Sequence, residues 1–151
     1  MITKPERFMI VAATAEADHA LTAFDAALLK AGIGNVNLVR LSSILPPGCK
    51  EENNINFPPG AFVPTAYGAI CSETKGELIS AAVGIGFSED SFGVIMEHSG
   101  NCGAEAAKIK VGEMVRESFA NRGLELKDIK IKSVELRVEK AGAAVAAVAL
   151  W

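Results

Sequence analysis

The carboxyl-terminal segment constrains the fold of this 151-residue chain more than any other part of its sequence. Residues 143–150 are small and apolar at every position, so a strand there would present an apolar surface on both faces. The whole apolar run, residues 141–151, is well short of the roughly 20 residues that a membrane-spanning helix requires. The sequence therefore predicts a central strand in a sheet that other layers cover on both sides.

Residues 21–30 have the apolar spacing of a helix. Leu21, Phe24 and Leu28 recur three or four residues apart, which places them on one face. Asp25 falls within that stripe, and a carboxylate on a face that should point to the core is often functional. The alternative for Asp25 is a half-exposed position at the edge of the stripe.

The other segments predict a second helix and several strands. Residues 103–122 have helical spacing, and Gly123 follows where a helix would end. Residues 129–138 alternate but change frame at Ser133, which predicts a β-bulge there. Further strands are expected at residues 8–13, 35–41, 61–71, 77–87, 92–99 and 143–150. These elements indicate an α/β (α+β) fold of layered sheets flanked by helices, in one domain, residues 1–151, because so short a chain rarely forms two.

Composition and charge exclude several classes of function. The net charge is -3, and no run of Lys or Arg could follow a phosphate backbone or an anionic lipid surface. We therefore expect neither a nucleic-acid partner nor a membrane partner. The amino terminus has no apolar segment followed by a small-residue cleavage site, so we expect a cytoplasmic protein.

The cysteines do not form a recognisable framework. There are three cysteines, an odd number that argues against a disulfide framework: Cys49, Cys71 and Cys102. They also lack the close pair spacing of a zinc site. We expect free thiols and no metal, and the role of the three cysteines stays open.

Ser42 and Ser43 lie at the end of a strand-like segment, shortly before Pro46 and Pro47. The prolines have no backbone N–H group, so they end the hydrogen-bond ladder of the strand. A hydroxyl held against the preceding carbonyl can attack its own backbone and move the acyl group from nitrogen to oxygen. Elimination then leaves a ketone, a pyruvoyl group, at the new chain end. A loop with two solvated hydroxyls is the alternative that these residues alone leave open.

Separated blocks of the sequence, in one order along the chain, resemble the pyruvoyl-dependent arginine decarboxylase family. The likeness runs from Thr22 to Trp151 and covers most of the chain. The resemblance implies a four-layer αββα sandwich of mainly antiparallel sheets, a pyruvoyl cofactor made from Ser43, and neither metal nor pyridoxal phosphate. It also implies self-cleavage into a β chain, residues 1–42, and an α chain, residues 43–151. The blocks are residues 23–29, 31–38, 60–68 and 95–97, the Ser42–Ser43 pair and the alanine-rich end.

The resemblance also assigns roles in catalysis. The ketone at Ser43 would form a Schiff base with the substrate amine, and Glu97 would protonate the carbanion left when CO2 departs. Asn37 would stabilise the oxyanion formed as Ser43 attacks the carbonyl of Ser42. Six extended residues span roughly 20 Å, so Asn37 reaches Ser43 only if the strand folds back or a neighbouring chain intervenes. Read without the resemblance, Glu97 is a strand-end carboxylate in water and Asn37 a strand-edge amide.

The substrate that the resemblance implies is L-arginine, decarboxylated to agmatine and CO2. Asp25 could pair with the guanidinium through two hydrogen bonds, Leu28 could pack on the methylenes, and the Ser42 carboxylate would add a second negative group. An ordinary core position is the alternative for Leu28. The implied assembly is a homo-oligomer of cleaved protomers, a trimer or hexamer with sites between neighbours.

Two other functions stay open on the residues alone. One is a pyruvoyl-dependent decarboxylase of another amino acid, such as histidine. The other is an uncleaved, non-catalytic ligand-binding or assembly module of the same fold.

Overall fold

The computed structural model describes residues 3–151, which form four layers in the order helix, sheet, sheet, helix. This arrangement confirms the predicted αββα sandwich. In chain order the elements are β1 (Arg7–Ala17), α1 (Ala20–Lys30), β2 (Asn37–Arg40), β3 (Ile44–Leu45), β4 (Lys50–Glu51), β5 (Phe62–Ser72), β6 (Leu78–Phe87), β7 (Gly93–Gly100), α2 (Ala104–Arg122), β8 (Asp128–Arg137) and β9 (Ala141–Leu150).

The first sheet is organised around β9, in the strand order β2-β5-β9-β1-β4. Every residue of β9 is buried, as predicted for the carboxyl-terminal segment. Strands β1 and β5 flank β9 in antiparallel pairing, whereas the short edge strands β2 and β4 pair in parallel. The small side chains of β9 let α1 approach one face of the sheet and the second sheet approach the other.

The second sheet is antiparallel, in the order β3-β7-β6-β8. Its inner face meets the first sheet in a continuous apolar core that includes Phe8, Val148, Ile85 and Ile95. Its outer face is covered by α2. The two sheets therefore share one core, and a side chain on the inner face of β7 lies between them.

Glycines on β6 let α2 pack closely against the second sheet. A Cβ atom at Gly86 would lie 2.5 Å from Cε2 of Phe119 and 2.6 Å from Cγ1 of Val115. Gly84, two residues before it on the same face, leaves room for Val111 in the same way. These helix side chains are buried, so they could not move aside without opening the layer.

The predicted bulge at Ser133 is wrong. Strand β8 pairs one-to-one with β6 through this position, with Lys132 opposite Val83 and Ser133 opposite Ala82. The frame of the sequence changes because β8 buries different faces along its length. Ile129 and Ile131 pack against α2, whereas the apolar residues beyond Ser133 pack between the sheets.

Helix α1 presents most, but not all, of the indicated apolar face to the core, since Leu28 is buried and Phe24 partly buried while Leu21 is not. Ala23, Ala27 and Leu28 are buried against the first sheet, whereas Leu21 is 76% exposed. Asp25 is exposed and lies outside the buried face. The alanines face β9 because small side chains on both elements allow the closest approach.

Neither helix of the described residues is both long and apolar enough to span a membrane.

We expect Gly86→Ala to lower the free energy of unfolding by about 1–3 kcal/mol, because the added methyl group would collide with buried side chains of α2. Gly100→Ala is the matched control, since the nearest atom to its added Cβ would be Nε2 of His98 at 3.5 Å. Urea unfolding of both variants measures the difference. Equal midpoints for the two variants would contradict this account of the helix–sheet contact.

Candidate active site

The chain passes from the first sheet to the second at Ser42 and Ser43. The Leu41 amide donates to the Thr65 carbonyl at 3.0 Å, which is the last backbone bond that joins this segment to β5. Two residues later the Ser43 carbonyl accepts a hydrogen bond from the Ile95 amide of β7 at 2.7 Å. The Ser42–Ser43 peptide is therefore held from both sides and crosses between the sheets.

After the chain leaves β5 at Leu41, the side chain of Arg40 takes the next backbone acceptor of β5, the Tyr67 carbonyl. Its Nη1 donates to the Tyr67 carbonyl at 2.9 Å. Its guanidinium carbon lies 3.9 Å from the centre of the Tyr67 ring, a cation–π distance. Arg40 was not predicted to have a role, although a charge between Val39 and Leu41, three residues before Ser43, is a signal that could have revealed it.

Glu97 faces the space between the sheets. It shares a face of β7 with Ile95, a core residue, because side chains alternate along a strand. Gly68 of β5 lies across from it, and a Cβ atom at Gly68 would come within 3.4 Å of the Glu97 Cβ. A glycine inside a strand is a sequence signal of such a close approach, although Gly68 was not predicted to lie near Glu97.

The Glu97 carboxyl lies in an environment that disfavours its charge. Its Oε2 is buried and has no hydrogen-bond partner among the described residues. Burial raises the pKa of Glu97, and the positive charge of Arg40 offsets part of that rise. The carboxyl is thus arranged to keep its proton at a higher pH than an exposed glutamate does.

Asn37 is not brought to Ser43 of the same chain. Its Nδ2 donates to the Gly60 carbonyl at 3.0 Å, at the start of β2. Extended strand separates Asn37 from Leu41, a span of about 13 Å before the crossover begins.

Asp25 and Leu28 lie on α1, which covers the opposite face of the first sheet from the second sheet. Asp25 is exposed, and Leu28 is packed in the core beneath the helix. The single chain therefore places the Ser42–Ser43 peptide beside β7, the strand that carries Glu97. It holds Asp25, Leu28 and Asn37 elsewhere. Their roles stay predictions.

The cysteines are free thiols, as expected. Burial raises the pKa of Cys49 and of Cys71, which favours the protonated thiol. The Cys102 Sγ lies 3.2 Å from the Ser80 hydroxyl. Within residues 3–151, no group of three or more His, Cys, Asp or Glu side chains could hold a metal ion.

We expect the Glu97 carboxyl to titrate above the ordinary glutamate value, because its charged form is poorly solvated. The raised pKa also fixes how the free energy of unfolding depends on pH. The folded pKa exceeds the unfolded one, so the free energy of unfolding falls as pH rises from the unfolded pKa through the folded pKa. A carboxyl-detected NMR titration of Ser43→Ala protein measures the pKa, with Glu97→Gln identifying the resonance. A value at or below that of an exposed glutamate would contradict the described burial.

Comparison with known proteins identifies relatives over almost the whole chain. The family model described as pyruvoyl-dependent arginine decarboxylase (PvlArgDC) matches residues 7–151. The pyruvoyl-dependent arginine decarboxylase of Methanocaldococcus jannaschii is 48% identical over 149 residues, which cover 97% of this chain and 90% of that protein. The enzyme of the same name from Pyrococcus furiosus is 49% identical over 151 residues, with 97% of this chain and 96% of that protein covered. The resemblance inferred from the sequence is confirmed, and the chain belongs to the pyruvoyl-dependent arginine decarboxylase family.

Proposed function

We propose that this protein is an enzyme that decarboxylates L-arginine to agmatine and CO2, with a covalent pyruvoyl group made from Ser43. Family membership supports the reaction and the cofactor. One structural observation carries the assignment of the site. The Ser42–Ser43 peptide crosses between the sheets beside β7, and the partly buried Glu97, whose Oε2 is fully buried, lies on the inner face of that strand.

The residues at the crossover fit the formation of the cofactor. The Ile95 amide fixes the Ser43 carbonyl, and the peptide before it spans an inter-sheet gap rather than a regular ladder. The Oγ of Ser43 attacks the Ser42 carbonyl carbon, and the Ser42–Ser43 C–N bond breaks as the nitrogen takes up a proton. The product is an ester between the Ser42 carbonyl and the Ser43 oxygen.

Elimination completes the cleavage. Loss of the Ser43 α-proton expels the Ser42 carboxylate and leaves an unsaturated residue at position 43. Uptake of water and release of ammonia convert that residue to the ketone. The two chains, residues 1–42 and 43–151, stay associated because β1 pairs along β9 from Phe8 opposite Leu150 to Ala17 opposite Ala141.

Glu97 serves as the proton donor. The pyruvoyl group supplies the electron sink that allows CO2 to leave the bound amino acid. A donor must then be neutral and close, and burial favours the protonated form of Glu97. Its orientation toward the inter-sheet space, opposite Gly68, leaves a proton available on the face of β7 that also carries Ile95.

The guanidinium of arginine would be bound by Asp25 of a neighbouring copy. Asp25 is exposed on α1, and the exposed leucines Leu21 and Leu29 lie four residues to either side, on the same face. A carboxylate with apolar neighbours suits a guanidinium at the end of a methylene chain. Ser42 would add its carboxylate after cleavage.

A homo-oligomer of cleaved protomers, a trimer or hexamer, would complete the site. It would also allow Asn37 of one copy to approach Ser43 of another, which the extended β2 prevents within one chain. Leu28, three residues beyond Asp25 on α1, would offer the small exposed part of its side chain to the methylenes of the substrate. We also propose a cytoplasmic location. Neither decarboxylation of histidine nor a non-catalytic module is favoured by the family match.

We expect the purified protein to release CO2 from L-arginine and accumulate agmatine, and to leave L-histidine unchanged. Ser43→Ala should remain one chain and show no turnover, because it lacks the hydroxyl that starts the cleavage. Coupled CO2 detection and amine chromatography measure both products. Turnover by uncleaved Ser43→Ala, or preference for histidine, would overturn the proposal.

We expect Asp25→Asn to raise the KM for arginine about tenfold or more, because a charge-assisted pair with the guanidinium is lost. Self-cleavage should be little changed, since Asp25 would contact the guanidinium at the far end of the substrate and not the Ser42–Ser43 peptide. Steady-state kinetics of the fully cleaved variant give KM and kcat separately. Glu125→Gln, at an exposed carboxylate beyond α2, is the control. An unchanged KM in Asp25→Asn would assign the guanidinium to another partner.

A further inference from the structure

Arg40 takes a hydrogen-bond acceptor that the backbone of Ser43 would otherwise use. Strand β2 runs parallel to β5 with Arg40 opposite Thr65, and the Leu41 amide donates to the Thr65 carbonyl. Continuation of that ladder would bring the Ser43 amide to the Tyr67 carbonyl, the next acceptor along β5. That carbonyl instead accepts from Nη1 of Arg40 at 2.9 Å.

A second contact fixes the Arg40 side chain in this position. Its guanidinium lies over the ring of Tyr67, 3.9 Å from the ring centre, while one of its N–H groups reaches the carbonyl of the same residue. The planar guanidinium can stack and donate at once, which a lysine ammonium cannot do in the same geometry. The pair of contacts therefore selects arginine by shape as well as by charge.

We propose that Arg40 is a positioning residue for self-cleavage, which caps the Tyr67 carbonyl and so directs the Ser42–Ser43 peptide away from the first sheet. This inference rests on the proposed function. With the carbonyl capped, the Ser43 carbonyl bonds to the Ile95 amide on the second sheet. Without the cap, two further residues could join the β2–β5 ladder, and an extended peptide in a regular ladder does not place Ser43 Oγ against the carbonyl before it.

Arg40 also acts on the second half of the site. Its charge lowers the pKa of Glu97 against the larger, opposite effect of burial. The positions across from Glu97 on β5 and beside it on β6 carry no charge, since they are Gly68 and Val83. The same side chain thus links the cleavage peptide to the proton donor.

The first test follows cleavage in newly synthesised protein by intact-mass measurement over time. We expect Arg40→Ala to cleave at Ser42/Ser43 about tenfold or more slowly than the natural sequence, and Arg40→Lys at an intermediate rate. Added guanidinium ion should accelerate Arg40→Ala but not Arg40→Lys. The matched control is Arg137→Ala, which removes a bond from Nη1 to the Gly76 carbonyl at 2.8 Å far from the crossover. It should cleave at the natural rate.

The second test uses the variants once they are fully cleaved. Removal of the Arg40 charge leaves burial unopposed, so the pKa of Glu97 rises. A donor that must be protonated then stays active to higher pH, and the alkaline limb of the kcat profile shifts upward in Arg40→Gln but not in Arg40→Lys. A purely structural role for Arg40 would lower activity without moving this limb.

The outcomes separate this inference from the proposed function. If the natural sequence is never cleaved at Ser42/Ser43, both fail. If the natural sequence is cleaved and folded Arg40→Ala, checked by near-ultraviolet circular dichroism, matches its rate, the inference alone is overturned. If Arg40→Ala does not fold, the cleavage rate of Arg40→Lys tests the inference instead. Cleavage of Arg40→Lys slower than that of the natural sequence supports it. Cleavage at the natural rate would overturn it, because stacking and the planar donor would then not be needed.

Discussion

The hydrogen bond from the Ile95 amide to the Ser43 carbonyl is the contact on which the site depends, because it ties the end of a first-sheet strand to the second sheet. The chain must leave β5 within two residues to make it, and the peptide that spans the gap is Ser42–Ser43. The bond proposed to react therefore lies where a first-sheet strand, β2, passes within three residues into a second-sheet strand, β3. Pro46 and Pro47 follow directly and prevent the new strand from growing.

Close packing of small residues brings the layers near enough for this arrangement. The alanines of β9 admit α1 on one face and the second sheet on the other, and Gly68 on the neighbouring strand leaves room for Glu97. A carboxyl in so narrow a space loses water without gaining a hydrogen-bond partner at Oε2, and this desolvation raises its pKa. The close packing that forms the layers therefore also raises the pKa of Glu97.

The layers, the central strand and both helices were predictable because burial leaves a periodic pattern in the sequence. The full buried face of α1 was not, since the pattern of large side chains included Leu21 and left out the alanines that pack beside Leu28. The frame change at Ser133 was misread as a bulge because a strand can bury opposite faces in its two halves. Within the candidate site, Ser43 was proposed from its place before Pro46 and Pro47 and from the resemblance, and Glu97 from the resemblance. The contacts of Arg40 and Gly68 join strands distant in sequence and leave no periodic signal.

The central claim is that the chain is cut at the crossover and that the cut creates the cofactor. A denaturing intact-mass spectrum of the purified protein tests this most directly. The account predicts two fragments, residues 1–42 and residues 43–151, with the larger one beginning in a ketone that blocks amino-terminal sequencing. A single unbroken chain that nevertheless releases CO2 from arginine would contradict it.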